Sequence, residues 1–326
     1  MGQALQGTNA QIPVLEFRSV SITFEGVVGL QDVSFSLGSG EMIIITGTAA
    51  SGKSVLLHLA AGLLRPDSGE ILINGRDIAR LGEDELLHLR SDSLGIVFQE
   101  QSVFTALSVY DNTAYRLDEL GWPEEAVEPA VGEILHFVGL EDDTEKLPEE
   151  LSVGMRRRLE FARAIVGWRS IMLFDEATSG LDPINARMMM DLVIRARDIH
   201  GISSLYVTKE LHEIPYLAAH RARKDAEGKV AIARNGVETS ADLKVILLDR
   251  GKIAFFGSPA QFEANTSPAV LRMTHPAPGA PISTAEIADP WSKKRLAGHT
   301  LCCDAVRDVR QHAGPRRRTN CISNKS

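Results

Sequence analysis

Apolar and polar positions fall into short blocks along the first half of this chain. Leu15 to Phe24 and Asp32 to Leu37 carry β-rich patterns separated by Glu25-Gly26, and they predict two strands. Gly38-Ser39-Gly40 turns the chain into the run Met42 to Thr46, which is apolar enough for a strand covered on both faces. An apolar helix is predicted to follow as far as Leu64, where Pro66-Asp67-Ser68-Gly69 ends it. Ile71 to Ile73 reads as a strand and Asn74-Gly75 as a tight turn. Leu94 to Phe98 is a further buried strand. From about Ser108 to Leu140 the pattern turns helical, broken at Gly121-Trp122-Pro123.

Ile171 to Phe174, Ser204 to Val207 and Lys244 to Leu248 return to strand patterns, with a helix predicted over Asn185 to His200. Strands that alternate with helices imply an α/β fold around a largely parallel sheet. The helical stretch at about 104–168 reads as an inserted subdomain. The polar stretch at about 221–243 has no clear period and reads as an arm or loop. Residues 1–13 form an N-terminal tail, the main domain covers 14–262, and 263–326 is a largely irregular extension rich in Pro, Ala and Gly beyond His275.

Composition removes several classes. No run approaches the roughly 18 apolar residues of a membrane span, since the stretch around Leu56 to Leu64 is short and contains His58. Met1 to Gln11 lacks the basic and apolar regions of a signal peptide, so a cytoplasmic location is expected. All three cysteines, Cys302, Cys303 and Cys321, lie in the extension, which excludes a disulfide framework for the body. The net charge of −8 conceals an asymmetry, because 291–326 holds nine Lys/Arg against two acids. The body is therefore strongly acidic, and nucleic acid is not expected as a partner.

The chemistry begins at Gly47-Thr48-Ala49-Ala50-Ser51-Gly52-Lys53-Ser54, directly after the Met42 strand. In such a P-loop, backbone N–H groups at a helix N-terminus wrap phosphate oxygens. Lys53 neutralises phosphate charge and the Ser54 hydroxyl coordinates magnesium. Ala50 stands where glycine is common, and Val55 stands where a hydroxyl is common. At the end of the Ile171 strand, Asp175 is placed to bind magnesium through water and Glu176 to polarise an attacking water.

These elements, together with Leu151-Ser152-Val153-Gly154-Met155, resemble the nucleotide-binding subunit of ABC transporters over about Val14 to Phe262. The resemblance implies a P-loop NTPase of the ABC type, a mostly parallel core with an antiparallel β subdomain and the helical insertion. It also implies ATP and Mg2+ as cofactors. Ser152, Val153 and Gly154 would form the signature that meets the γ-phosphate of ATP on a second protomer, although Val153 replaces the usual glycine. Phe24 matches the aromatic that stacks on adenine, Gln99 the Q-loop glutamine at the magnesium site, and Asp182 the D-loop carboxylate at the dimer seam. The position of the switch histidine is Lys209, which donates as a point charge but does not relay a proton as imidazole does. His212 lies three residues further on.

Phe104 to Tyr115 looks like a pattern of the ATPases in Mla and Mce lipid systems, supported by Val138-Gly139-Leu140, Met155 to Arg158 and Leu181 to Ile184. That resemblance implies a peripheral ATPase on the cytoplasmic face of the inner membrane, moving phospholipid or another hydrophobic substrate. Its partners would be a membrane permease, a second ATPase protomer, identical or different, and an Mce-domain protein. Two alternatives stand beside it: the ATPase of an amino-acid-type importer, and a slow, non-transport ATP-dependent clamp.

Overall fold

The computed structural model describes residues 12–99, 102–234 and 242–274. Its centre is a six-stranded sheet in the order Lys252–Gly257, Leu243–Asp249, Met42–Gly47, Ser203–Val207, Ile171–Asp175 and Leu94–Val97. All neighbours run parallel except the edge strand Lys252–Gly257, which is antiparallel to Leu243–Asp249. A four-stranded antiparallel sheet, in the order Val27–Leu37, Leu15–Phe24, Ser68–Ile73 and Arg76–Asp77, lies beside it.

The central strands are apolar throughout because each face feeds a different core. Met42, Ile44, Met172, Phe174, Tyr206, Val245 and Leu247 point into one hydrophobic cluster. Their neighbours Ile43, Ile45, Ile171, Leu173, Leu205, Val207, Ile246 and Leu248 point into the other. The period of two along a strand sorts them. The first cluster takes in the helices Val109–Glu119, Glu124–Val138, Val153–Ile165 and Pro183–His200; the second takes in the helix Lys53–Ala60 and the antiparallel sheet. The helical insertion thus shares its core with one face of the sheet.

Several elements differ from the sequence expectation. The helix Glu83–Ser93 goes unpredicted because, among its eleven residues, only Leu86 and Leu89 are buried. The first helix stops at Ala60 rather than Leu64. The polar stretch after 220 begins as an antiparallel ribbon, His220–Lys224 with Val230–Arg234, whose residues are mostly exposed or half-buried and so carry no apolar rhythm. The extension opens with a short helix, Pro268–Thr274, and the three cysteines and the basic segment lie outside the described residues. Among the described residues, no helix is long and apolar enough to cross a membrane.

Candidate functional site

The strand Met42–Gly47 delivers the chain to a turn that only particular backbone conformations allow. Gly52 has φ 103°, and a Cβ there would lie 2.6 Å from the Gly29 carbonyl oxygen and 2.8 Å from a Leu30 methyl. Ala50 also adopts a left-handed φ of 58°, where glycine would cost less. Lys53 opens the helix Lys53–Ala60, and no side chain caps that helix. Its first backbone N–H groups therefore lack the partners that a capping residue supplies elsewhere.

The side chains around this turn carry unmet polar capacity. Lys53 is buried, and its Nζ donates to the Gly47 and Thr48 carbonyls at 2.9 Å each. Burial lowers its pKa, while Glu176 and Asp175 pull it back up. Ser51 Oγ and Asp175 Oδ1 are buried without hydrogen-bond partners. Burial, then the neighbouring Glu176 charge, raises the Asp175 carboxyl, and a hydrogen bond with Ser54 opposes this. An uncapped helix start, a buried ammonium and an orphaned hydroxyl fit a polyphosphate. The Ser54 and Asp175 oxygens fit a hard cation such as magnesium, which takes only a few protein ligands. Thr48, Ala49 and Ala50 lie exposed at the rim, while the Val55 side chain is buried in the core and leaves only its backbone to the site.

Glu176 has a left-handed φ of 46°, unusual for a glutamate, and its N–H donates to the Val207 carbonyl at 3.0 Å. Its carboxylate forms an ion pair with Lys209, with Nζ 2.9 Å from Oε2. That partner raises the Lys209 pKa above the ordinary lysine value. Position 209 therefore reaches the Glu176 carboxylate, a 33-residue separation that periodicity does not reveal. His212 starts the helix Glu213–Ala219 and lies 3.8 Å from Glu210.

Ser152 caps the helix Val153–Ile165, its hydroxyl accepting from the Met155 N–H at 3.2 Å. Val153 takes no left-handed conformation, so a β-branched residue is accommodated there, and it is 49% exposed. A Cβ at Gly154 would displace the Asn185 side-chain amide. Asp182 caps the helix Pro183–His200, accepting from Ile184 and Asn185 N–H groups at 3.0 and 3.1 Å and from the Asn185 side-chain amide; the Asn185 amide first, then these backbone bonds, hold its pKa low. The signature helix packs on one face of the central sheet and the Lys53 helix on the other.

Two further expected site residues lie outside the cradle's hydrogen bonds. Phe24 is only 7% exposed and belongs to the core beside Gly29, so this conformation offers adenine little of its ring. Gln99 is exposed just beyond the strand Leu94–Val97. A residue missed at the sequence level is Arg157, whose buried guanidinium contacts the carbonyls of Phe98, Glu176 and Ala177. Its place on the buried face of a charged helix, three residues before Glu160, was the available signal.

Comparison with known proteins agrees with this arrangement. A family profile described as ABC transporter matches residues 30–179. The methionine import ATP-binding protein of Carboxydothermus hydrogenoformans is 36% identical over 229 residues, 69% of this chain and 67% of that protein. That of Corynebacterium jeikeium is 37% identical over 206 residues, 62% of this chain and 56% of that protein. The chain thus spans little more than half the length of the latter relative, and 65% of a methionine import ATP-binding protein of Rhodococcus jostii. The structure of cbiO1 from Clostridium perfringens, part of the ABC transporter complex cbiONQ, aligns with a TM-score of 0.66 at 25% identity, covering 78% of this chain and 91% of its own. The dimeric cassette MJ0796 aligns with a TM-score of 0.63 at 23% identity, covering 75% and 98%, and shares the fold. The sequence relatives are named for methionine import, not lipid transport, so the Mla/Mce expectation and its Mce-domain partner lose their support. In the Phe104 to Tyr115 pattern, Ser108 caps a helix and Asn112 clamps the loop through bonds to Phe104, Leu107 and Ser108.

Proposed function

We propose that this chain, which belongs to the ATP-binding family of ABC transporters, binds and hydrolyses ATP as one half of a head-to-tail dimer that drives a membrane permease. The observation that carries the reading is the phosphate cradle with Lys53, Ser54, Asp175 and Glu176 converging on it, while Ser152 sits across the sheet with its helix N-terminus at the surface. A second copy would bring its Ser152 to this chain's cradle, as the same anion capture by a helix start. Ser54 and Asp175 would hold magnesium, which supplies charge neutralisation between the phosphates when bound. Lys53 binds the phosphates once it exchanges the Gly47 and Thr48 carbonyls for them. Glu176, held in its strained conformation, orients the attacking water.

For the cargo, the relatives support an amino-acid-type substrate and the cytoplasmic side of a permease as the place of work. A slow regulatory clamp has one observation in its favour, the Lys209–Glu176 ion pair, which occupies the carboxylate that must engage water. Hydrolysis separates the readings. The full chain, co-purified with the polytopic membrane protein it binds, should release phosphate from ATP, and Lys53→Ala should abolish release. Equal activity in Lys53→Ala contradicts the proposal. Reconstituted vesicles that move labelled phospholipid but not methionine would return the cargo to the lipid class.

A further inference from the structure

The side chains of Arg157 and Glu160 are 6% and 1% exposed, and they form an ion pair at 2.6 Å inside the protein. Burying two charges is expensive unless every remaining donor and acceptor is used. Here four of the guanidinium's five N–H donors are used, on Glu160 and on chain segments of the site. Arg157 Nη1 also donates to the carbonyl of Phe98, the residue before Gln99, at 2.6 Å. Its Nε donates to the Ala177 carbonyl at 2.8 Å, and Nη2 to the Glu176 carbonyl at 3.0 Å. Glu160 Oε1 accepts from the Ser102 N–H at 3.2 Å. One pair on the signature helix therefore holds the backbone on both sides of Gln99 and the backbone of the strained glutamate.

We infer that Arg157, oriented by Glu160, is a positioning residue that fixes Glu176 for hydrolysis and links it mechanically to the Gln99 segment and to the helix begun by Ser152. The inference rests on the ATPase reading above. Three carbonyls converge on one planar guanidinium, a geometry that a lysine ammonium does not reproduce. The left-handed backbone at Glu176 is costly by itself and persists because its surroundings over-determine it. The Arg157 bond to its carbonyl is one of those determinants, beside the bond from its N–H to Val207 and the bond its carbonyl accepts from the Ser179 N–H. Neither Arg157 nor Glu160 touches the phosphate cradle, so the pair acts on the rate and leaves nucleotide affinity alone.

The test compares the full-length wild type with Arg157→Lys and with the double variant Arg157→Met/Glu160→Met, which removes both charges together and leaves none stranded. Affinity for a fluorescent ATP analogue and kcat for ATP are measured on each, with melting temperature as the check on folding. The expected result is a kcat lower by about 10- to 100-fold in both variants, with affinity within about twofold of wild type. A folded double variant with wild-type kcat overturns the inference, as does affinity that falls in step with kcat. If the double variant does not fold, Arg157→Lys decides, and an unchanged kcat in it overturns the inference. A wild-type chain that hydrolyses no ATP with its membrane partner defeats the underlying function instead.

Discussion

At the residue scale, the charges of the site are arranged against one another. Asp175 has a pKa raised chiefly by burial, so the folded chain binds its proton more tightly than the unfolded chain does. Its protonation stabilises the fold at low pH, and that contribution is lost as pH rises from the ordinary carboxylate value through the raised one. Above that window the ionised, orphaned carboxylate is a cost. Asp175→Asn should therefore stabilise the nucleotide-free chain at neutral pH by about 1 kcal/mol in urea unfolding while removing the magnesium dependence of ATP binding. Lys209, whose pKa is raised by Glu176, stays charged through neutral pH. The wild-type rate should accordingly show no inflection from this position, whereas Lys209→His should introduce one at about pH 6.5 in a kcat–pH profile. A wild-type inflection there that Lys209→Ala removes would contradict this assignment. The cradle residues were legible because Gly47 to Ser54 sit side by side in sequence between a strand and a helix. The Lys209–Glu176 pair and the Arg157 hub were not, since each joins segments that only the folded sheet brings together.

At the element scale, what was legible follows burial. Met42–Gly47 and Ile171–Asp175 are covered on both faces and announce themselves as apolar runs. The helix Glu83–Ser93 and the ribbon His220–Lys224 with Val230–Arg234 bury too little to leave a rhythm. Phe24 shows the converse limit, because an aromatic at a strand end reads equally as a ligand platform or as core, and neighbours far along the chain decide. The loop before the helix Val109–Glu119 depends on Asn112, which is buried and uses its amide on the Phe104, Leu107 and Ser108 backbone. Asn112→Ala should cost about 2 kcal/mol by leaving these groups unpaired, measured by chemical denaturation. It should also loosen the Phe104 ring from Tyr115 and from the Arg163 guanidinium 4.3 Å from its centroid. Wild-type stability in that variant would show that the loop closes without the clamp.

At the scale of the whole molecule, the central sheet is both scaffold and partition. It holds Ile45, Val207 and Asp175 in register at the strand ends, and it keeps the Lys53 helix and the Ser152 helix on opposite faces. In the proposed scheme a complete ATP site needs a second copy, so that ATP binding and association form one equilibrium. Glu176→Gln keeps the shape of the side chain and the φ-constrained backbone but removes the carboxylate that orients water and pairs with Lys209. Hydrolysis stops while binding continues. Light scattering on Glu176→Gln with saturating ATP and magnesium is the most direct measurement: the head-to-tail scheme predicts twice the chain mass, reverting when Ser152 is also replaced by glutamate, and a chain that stays monomeric under saturating ATP would contradict it.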